Sequence, residues 1–155
     1  MNEGGIGFVA GTMVLTKGGL KPIESVAIGE LVLSHPEDMP IPRRKVAPFR
    51  LEDEYTYRAV TNIVTLNSQS ITRLIATDGD KETILLAARQ AVFLKGRGWV
   101  EAAKIEAGDC LWNSNFANAL VFRNYPAHSV EQTFALEIDG FQTYYVGERC
   151  IWIHC

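Results

Sequence analysis

An all-β domain is the fold class this sequence predicts, on three observations. Its apolar and alternating runs are short, the length of strands rather than helices. Glycine, proline, asparagine and aspartate punctuate them at close intervals. No segment sustains a helical period beyond about two turns.

In chain order, residues 1–6 read as a flexible lead-in carrying Gly4-Gly5, and residues 7–155 as one domain. Met13–Thr16 is the first strand, Pro22–Val26 a single short helix and Glu30–Ser34 the next strand. Pro36–Pro48 contains four prolines and the run Arg43-Arg44-Lys45, the composition of a solvated loop. Tyr55–Leu66, Ile71–Ala76 and Glu82–Leu86 follow as strands, the last two separated by the hairpin signal Asp78-Gly79-Asp80. Ala91–Leu94 precedes a second short helix at Glu101–Ile105. Cys110–Asn113, Ala119–Arg123, Thr133–Ile138, Thr143–Val146 and Ile151–His154 complete the strands, with a turn at Asp139-Gly140. Trp99, Trp112 and Trp152 stand in apolar strand contexts and are expected in the core. His35 and His128 stand alone in loop-like settings and are expected at the surface.

The chain also repeats itself. Gly19 and Gly98, Gly29 and Gly108, Val26 and Ile105, Glu30 and Asp109, and Leu33 and Trp112 all share one offset of 79 residues. The two copies, residues 11–33 and 90–112, each read as strand, turn, one helical turn, Gly-acid turn and strand. Two copies over half the chain make pseudo-equivalent halves; a solenoid needs at least three.

Composition narrows the function classes. A chain of 155 residues fits one domain with a real core, and 47% hydrophobic with 21% charged residues is an ordinary globular balance. A net charge of −3 gives no reason to expect nucleic acid or an anionic membrane as partner. No apolar run approaches a membrane span, and Met1-Asn2-Glu3-Gly4-Gly5 has neither the basic nor the apolar region of a signal peptide. The three cysteines lack metal-ligand spacing, so neither metal nor other cofactor is expected. Cys150 and Cys155, in an extended segment, would lie about 16 Å apart, beyond disulfide reach. Cys110 reads as a buried, unreactive thiol. The expectation is a soluble monomer.

Both ends carry recognisable runs: Gly7-Phe8-Val9-Ala10-Gly11-Thr12-Met13-Val14-Leu15 at the start, and Phe141-Gln142-Thr143-Tyr144-Tyr145-Val146-Gly147-Glu148 with Ile151-Trp152-Ile153-His154-Cys155 at the finish. Between them stands Lys95-Gly96-Arg97-Gly98-Trp99-Val100. In order and spacing these resemble the Hint family: hedgehog autoprocessing domains, inteins, and the intein-like domains of large bacterial secreted toxins. The resemblance implies a pseudo-twofold, flattened horseshoe of short strands with one or two very short helices. It also implies adjacent termini, self-processing at those termini, and a place within a larger bacterial secreted protein.

Matched residue by residue, the resemblance also implies that the reactive groups are gone. The N-terminal nucleophile, a cysteine in the family, falls at Gly7, which has no side chain to attack the preceding carbonyl. The Thr-x-x-His element, counted back from Lys95–Val100, falls at Ala87 and Gln90. Glutamine cannot act as a general acid, a loss of about 10²–10⁴ in rate, although it can still donate a hydrogen bond. The histidine before Thr-Tyr-Tyr-Val-Gly is Gln142. Of the His-Asn ending His154 remains, but Cys155 follows it, standing in the seat of the asparagine whose amide cyclises or, with that asparagine deleted, in the place of the first downstream residue; either way the cyclising group is absent. The internal cysteine that rescues some inteins falls at about Ala135.

Three readings follow. The first is a Hint frame that no longer cuts, serving as a folded spacer or docking module for its own flanking segments. The second is residual autoproteolysis at the C-terminal side through His154 and Cys155. The third is a vacated cleft that binds a peptide or small ligand.

Overall fold

The computed structural model describes residues 5–37, 56–114 and 118–155. Twelve strands form one sheet: β1 (Phe8–Val9), β2 (Met13–Thr16), β3 (Gly19–Pro22), β4 (Leu31–Ser34), β5 (Thr56–Thr77), β6 (Lys81–Ala87), β7 (Ala91–Leu94), β8 (Gly98–Glu101), β9 (Cys110–Trp112), β10 (Asn118–Ile138), β11 (Thr143–Val146) and β12 (Ile151–His154). The only helical turns among the described residues are two 3₁₀ turns, Ile23–Ser25 and Ala102–Lys104. The fold is all-β, as the sequence predicts.

Hydrogen-bonded strands run in the order β11-β12-β7-β9-β10-β1-β6-β5-β4-β2-β3, with β8 on β7. Because β11 also pairs with β2, the sheet curls back on itself. Closure of this kind leaves few open edges to recruit other chains.

The two halves are built alike. The 3₁₀ turns lie 79 residues apart, each preceded by a residue near φ −60°, ψ 140° (Pro22 and Glu101) and followed by an extended one (Val26 and Ile105). After each turn a Gly-acid pair grips a long strand through two backbone bonds. Gly29 N–H donates to Val60 O at 2.8 Å and Val60 N–H to Glu30 O at 2.9 Å. Gly108 N–H donates to Val121 O at 2.8 Å and Val121 N–H to Asp109 O at 2.9 Å. Each acid accepts an N–H three residues back, from Ala27 (3.1 Å) and Glu106 (2.8 Å), and meets a cation, Lys21 (3.0 Å) and Arg97 (2.7 Å). The Ala27 N–H first, and then Lys21, hold the Glu30 carboxyl below its ordinary range.

Two expectations are corrected. The runs expected as separate strands at Tyr55–Leu66 and Ile71–Ala76 are one strand, β5, and those at Ala119–Arg123 and Thr133–Ile138 are one strand, β10. The polar stretch at residues 67–70 reads locally as a break, yet the β5–β10 ladder runs through it from Thr77 opposite Leu120 to Val60 opposite Ile138. Register shifts between Pro126 and Val130 and between Glu131 and Thr133 absorb the mismatch, with Ser68 at φ 55° and His128 at φ 58°. His35, expected at the surface, is fully buried. Its N–H donates to the Thr143 hydroxyl at 3.1 Å, that hydroxyl donates to its carbonyl at 2.6 Å, and its ring meets the edge of Trp152 at 5.4 Å. His128 is exposed. The expected basic run Arg43-Arg44-Lys45 lies outside the described residues.

The main core gathers buried side chains from both halves, including Phe8, Val14, Ile23, Leu74, Leu136 and Tyr144. A second cluster of Leu33, Phe93, Tyr145, Cys150 and Trp152 lies beside it, with Trp99 and Trp112 half-buried against it. Trp152 packs at 4.8 Å from Trp99 and 4.9 Å from Phe93 between ring centroids, close enough for aromatic contacts to add to burial. All three cysteines are free thiols. No helix among the described residues is long and apolar enough to cross a membrane.

Candidate functional site at the paired chain ends

The segment entering the domain is held as an extra stretch of strand. Phe8 of β1 sits between Leu86 and Phe134. Ahead of it, Arg89 N–H donates to Gly5 O (2.8 Å), the Thr133 hydroxyl to Ile6 O (2.8 Å) and Ala87 N–H to Gly7 O (2.9 Å). Gly5 N–H donates to the Gln69 side chain. Gly7 has φ +99°, and a Cβ there would lie 2.8 Å from Phe134 O and 2.9 Å from the Thr133 hydroxyl. Only glycine occupies that conformation without strain.

At the other end β12 pairs with β7 through Ile153 and Val92, and with β11 through His154 and Thr143. Cys155 N–H donates to Gln142 O at 2.8 Å. The Gln142 side chain is exposed and its φ of 68° is left-handed, so among the bonds seen here it serves the site through its backbone.

Gln90 joins the two ends. Its side chain is 1% exposed and leads into β7. Its Oε1 accepts the Gly7 N–H at 2.8 Å, while its Nε2 donates to His154 O at 2.6 Å and to Ala91 O at 3.1 Å. From amide geometry, Gly7 N and His154 O lie within about 8 Å of one another. Ala87 is fully buried and contributes only its backbone N–H and a methyl group.

His154 is fixed from two sides. Its Nε2 meets the Glu37 carboxylate, its Nδ1 lies 3.0 Å from Cys155 O, and its ring stands edge-on to Trp99 at 5.2 Å. The Cys155 thiol is pushed up to about 12, first by burial and then by the Glu137 and Glu37 carboxylates, against a hydrogen bond at Ile138 that lowers it. A thiol so shifted is protonated at neutral pH and a poor nucleophile. Ala135, at the internal-cysteine position, is buried on β10 beside the Thr133–Phe134 wall of Gly7.

The structure thus brings Gly7, Ala87, Gln90, His154 and Cys155 into one neighbourhood and leaves the Gln142 side chain outside it. Sequence reasoning missed Thr133 and Glu37. Thr133 had a usable signal, two residues before Ala135 on the same strand face. Glu37 had none, since it belongs to the proline-rich stretch. No group of three or more histidine, cysteine or acidic side chains able to hold a metal occurs among the described residues.

The family described as the pretoxin HINT domain matches residues 13–155. No curated protein matches the chain. Among solved structures, the chain is similar to a bacterial intein-like domain from Clostridium thermocellum at 25% identity and TM-score 0.79, covering 96% of this chain and 98% of that one. The gp41-1 intein superposes with TM-score 0.72 at 18% identity, covering 98% of this chain and all (100%) of its own. A DnaB intein from Synechocystis sp. PCC 6803 gives TM-score 0.73 at 13% identity, covering 97% and 98% of the two chains. At their identities the last two speak to the fold alone.

Proposed function

Because the chain belongs to the pretoxin HINT domain family, a self-processing family, we propose that it is a Hint domain that folds as its relatives do and does not cut itself. It serves, in this reading, as one folded unit from Gly7 to Cys155 that keeps its two flanking segments side by side. The observation that carries the reading is the Gln90 amide, bonded at once to Gly7 N–H and His154 O. These are the two places where a self-processing domain needs proton transfer, and a neutral amide transfers none.

Two further observations support it. Gly7 presents no nucleophile and sits in a conformation that excludes a Cβ. The Cys155 thiol is held protonated by its surroundings. The second also weighs against residual cleavage through His154 and Cys155.

The test places the chain between two folded tags and follows intact mass with and without added thiol. A single unprocessed species is expected under both conditions. Release of either tag, at Gly7 or after His154, would overturn the reading.

A further inference from the structure

Away from the paired ends, the outward faces of β5, β6 and β10 form a continuous three-stranded surface. The ladders align it in three rows: Leu85, Arg73 and Tyr125; Thr83, Ile75 and Arg123; Lys81, Thr77 and Leu120. Phe122 stands at the register shift between Val121 and Arg123. Each row carries one cation and no acid. Of the acids nearest in sequence, Asp78 and Glu82 are bound to Arg149, while Asp80 lies in the turn just before Lys81. Arg73, Arg123 and Lys81 take part in none of the ion pairs among the described residues. Their neighbours are rings: Lys81 Nζ lies 3.8 Å from the Phe122 centroid, and the guanidiniums of Arg73 and Arg123 lie 5.9 and 6.0 Å from that of Tyr125.

The same surface exposes apolar area. Leu120 is 46%, Phe122 44% and Tyr125 40% exposed. Three unpaired cations set among exposed rings, on a chain of net charge −3, form a local field opposite in sign to the whole. Apolar patches with a charged rim mark contact sites more often than solvated faces.

We propose that this face docks an acidic, extended segment of a partner polypeptide. The rows follow strand spacing, about 6.8 Å between residues i and i+2, and an extended partner presents alternate side chains at the same interval. Carboxylates at every second residue therefore meet the three rows in register, while the side chains around them reach Leu120, Phe122 and Tyr125. The cations disfavour stacked bases as the occupant, because Lys81 already covers the Phe122 ring and two guanidiniums flank Tyr125.

Three fluorescent probes test this by anisotropy on the whole chain: a twelve-residue peptide with glutamate at alternate positions, the same composition with its glutamates contiguous, and dT12 single-stranded DNA. The alternating peptide is expected to bind at low salt, to weaken as salt rises, and to bind the triple variant Arg73→Ser, Lys81→Ser, Arg123→Ser about tenfold less tightly. Lys17→Ser, on an exposed residue beside Tyr57 and so far along β5 from Arg73, should change nothing. If the triple variant unfolds, Arg123→Glu alone carries the test, since that side chain is exposed. The proposal fails if the alternating peptide does not bind, if the variants bind it as the parent does, or if the contiguous peptide binds equally well. Tighter binding of dT12, lost in the same variants, would overturn it in favour of a nucleic-acid surface. None of these outcomes depends on whether the chain cleaves itself.

Discussion

Removing the Gln90 amide should open the junction of the two ends without emptying the core. Gln90→Met keeps most of the side-chain volume and deletes the side-chain hydrogen bonds; Gln90→Ala deletes the volume as well. Either variant strands the buried Gly7 N–H and the His154 carbonyl that now lie 2.8 and 2.6 Å from the amide. An unsatisfied buried group costs about 1–3 kcal/mol. Two such groups, part of which water re-solvates, predict a loss of about 2–4 kcal/mol for methionine. Alanine should lose about 1–2 kcal/mol more for the cavity at a site 1% exposed. Against the 5–15 kcal/mol typical of a domain, either loss is large. Urea denaturation measures the totals, and amide hydrogen exchange at Gly7 reads the junction itself. The reasoning is refuted if Gln90→Met matches the parent in urea midpoint while the Gly7 amide stays protected. That result would mean that the Gly5–Gly7 strand contacts hold the ends without the clasp.

Three further predictions concern the groups flanking that clasp. Gly7→Ala should destabilise the fold by about 1–3 kcal/mol in urea denaturation, because its Cβ falls 2.8 Å from Phe134 O at φ +99°; an unchanged midpoint would show that the local backbone relaxes freely. By the same geometry, a chain given cysteine, threonine, histidine, histidine and asparagine at positions 7, 87, 90, 142 and 155 should recover cleavage only if residue 7 leaves its present conformation. Cys155, with its thiol pushed up to about 12, should alkylate with iodoacetamide at pH 8 at least tenfold more slowly in the folded chain than in urea, the difference closing as pH rises towards 12; equal rates at pH 8 would contradict the burial that shifts it.

Much of this was legible in the sequence for identifiable reasons. Strand content shows in local alternation, and the 79-residue offset between copies survives because Gly-acid turns need particular residues at particular places. Glu30 and Asp109 each accept the N–H three residues back, a local constraint that writes itself into sequence. The positions Gly7, Ala87, Gln90 and Cys155 could be singled out for a similar reason, since each is counted from a nearby run, and the fold brings them into one neighbourhood. The continuity of β5 and β10 was not readable. It depends on long-range pairing that carries polar residues 67–70 through a ladder with bulges. The burial of His35 was hidden likewise, because what covers it comes from Thr143 and Trp152, over a hundred residues away. Glu37 meets His154 only because β4 and β12 lie close in space.

The Gln90 clasp also has a mechanical meaning. Residues 7–154, fully extended, would span roughly 500 Å, yet the fold closes them into a gap of about 8 Å. Tension on the flanking segments would therefore load the clasp and the Gly5–Gly7 strand first, before it reaches the core. Until those bonds part, the domain adds almost nothing to the reach of a longer polypeptide. Once they part, it can release a length many times its own width.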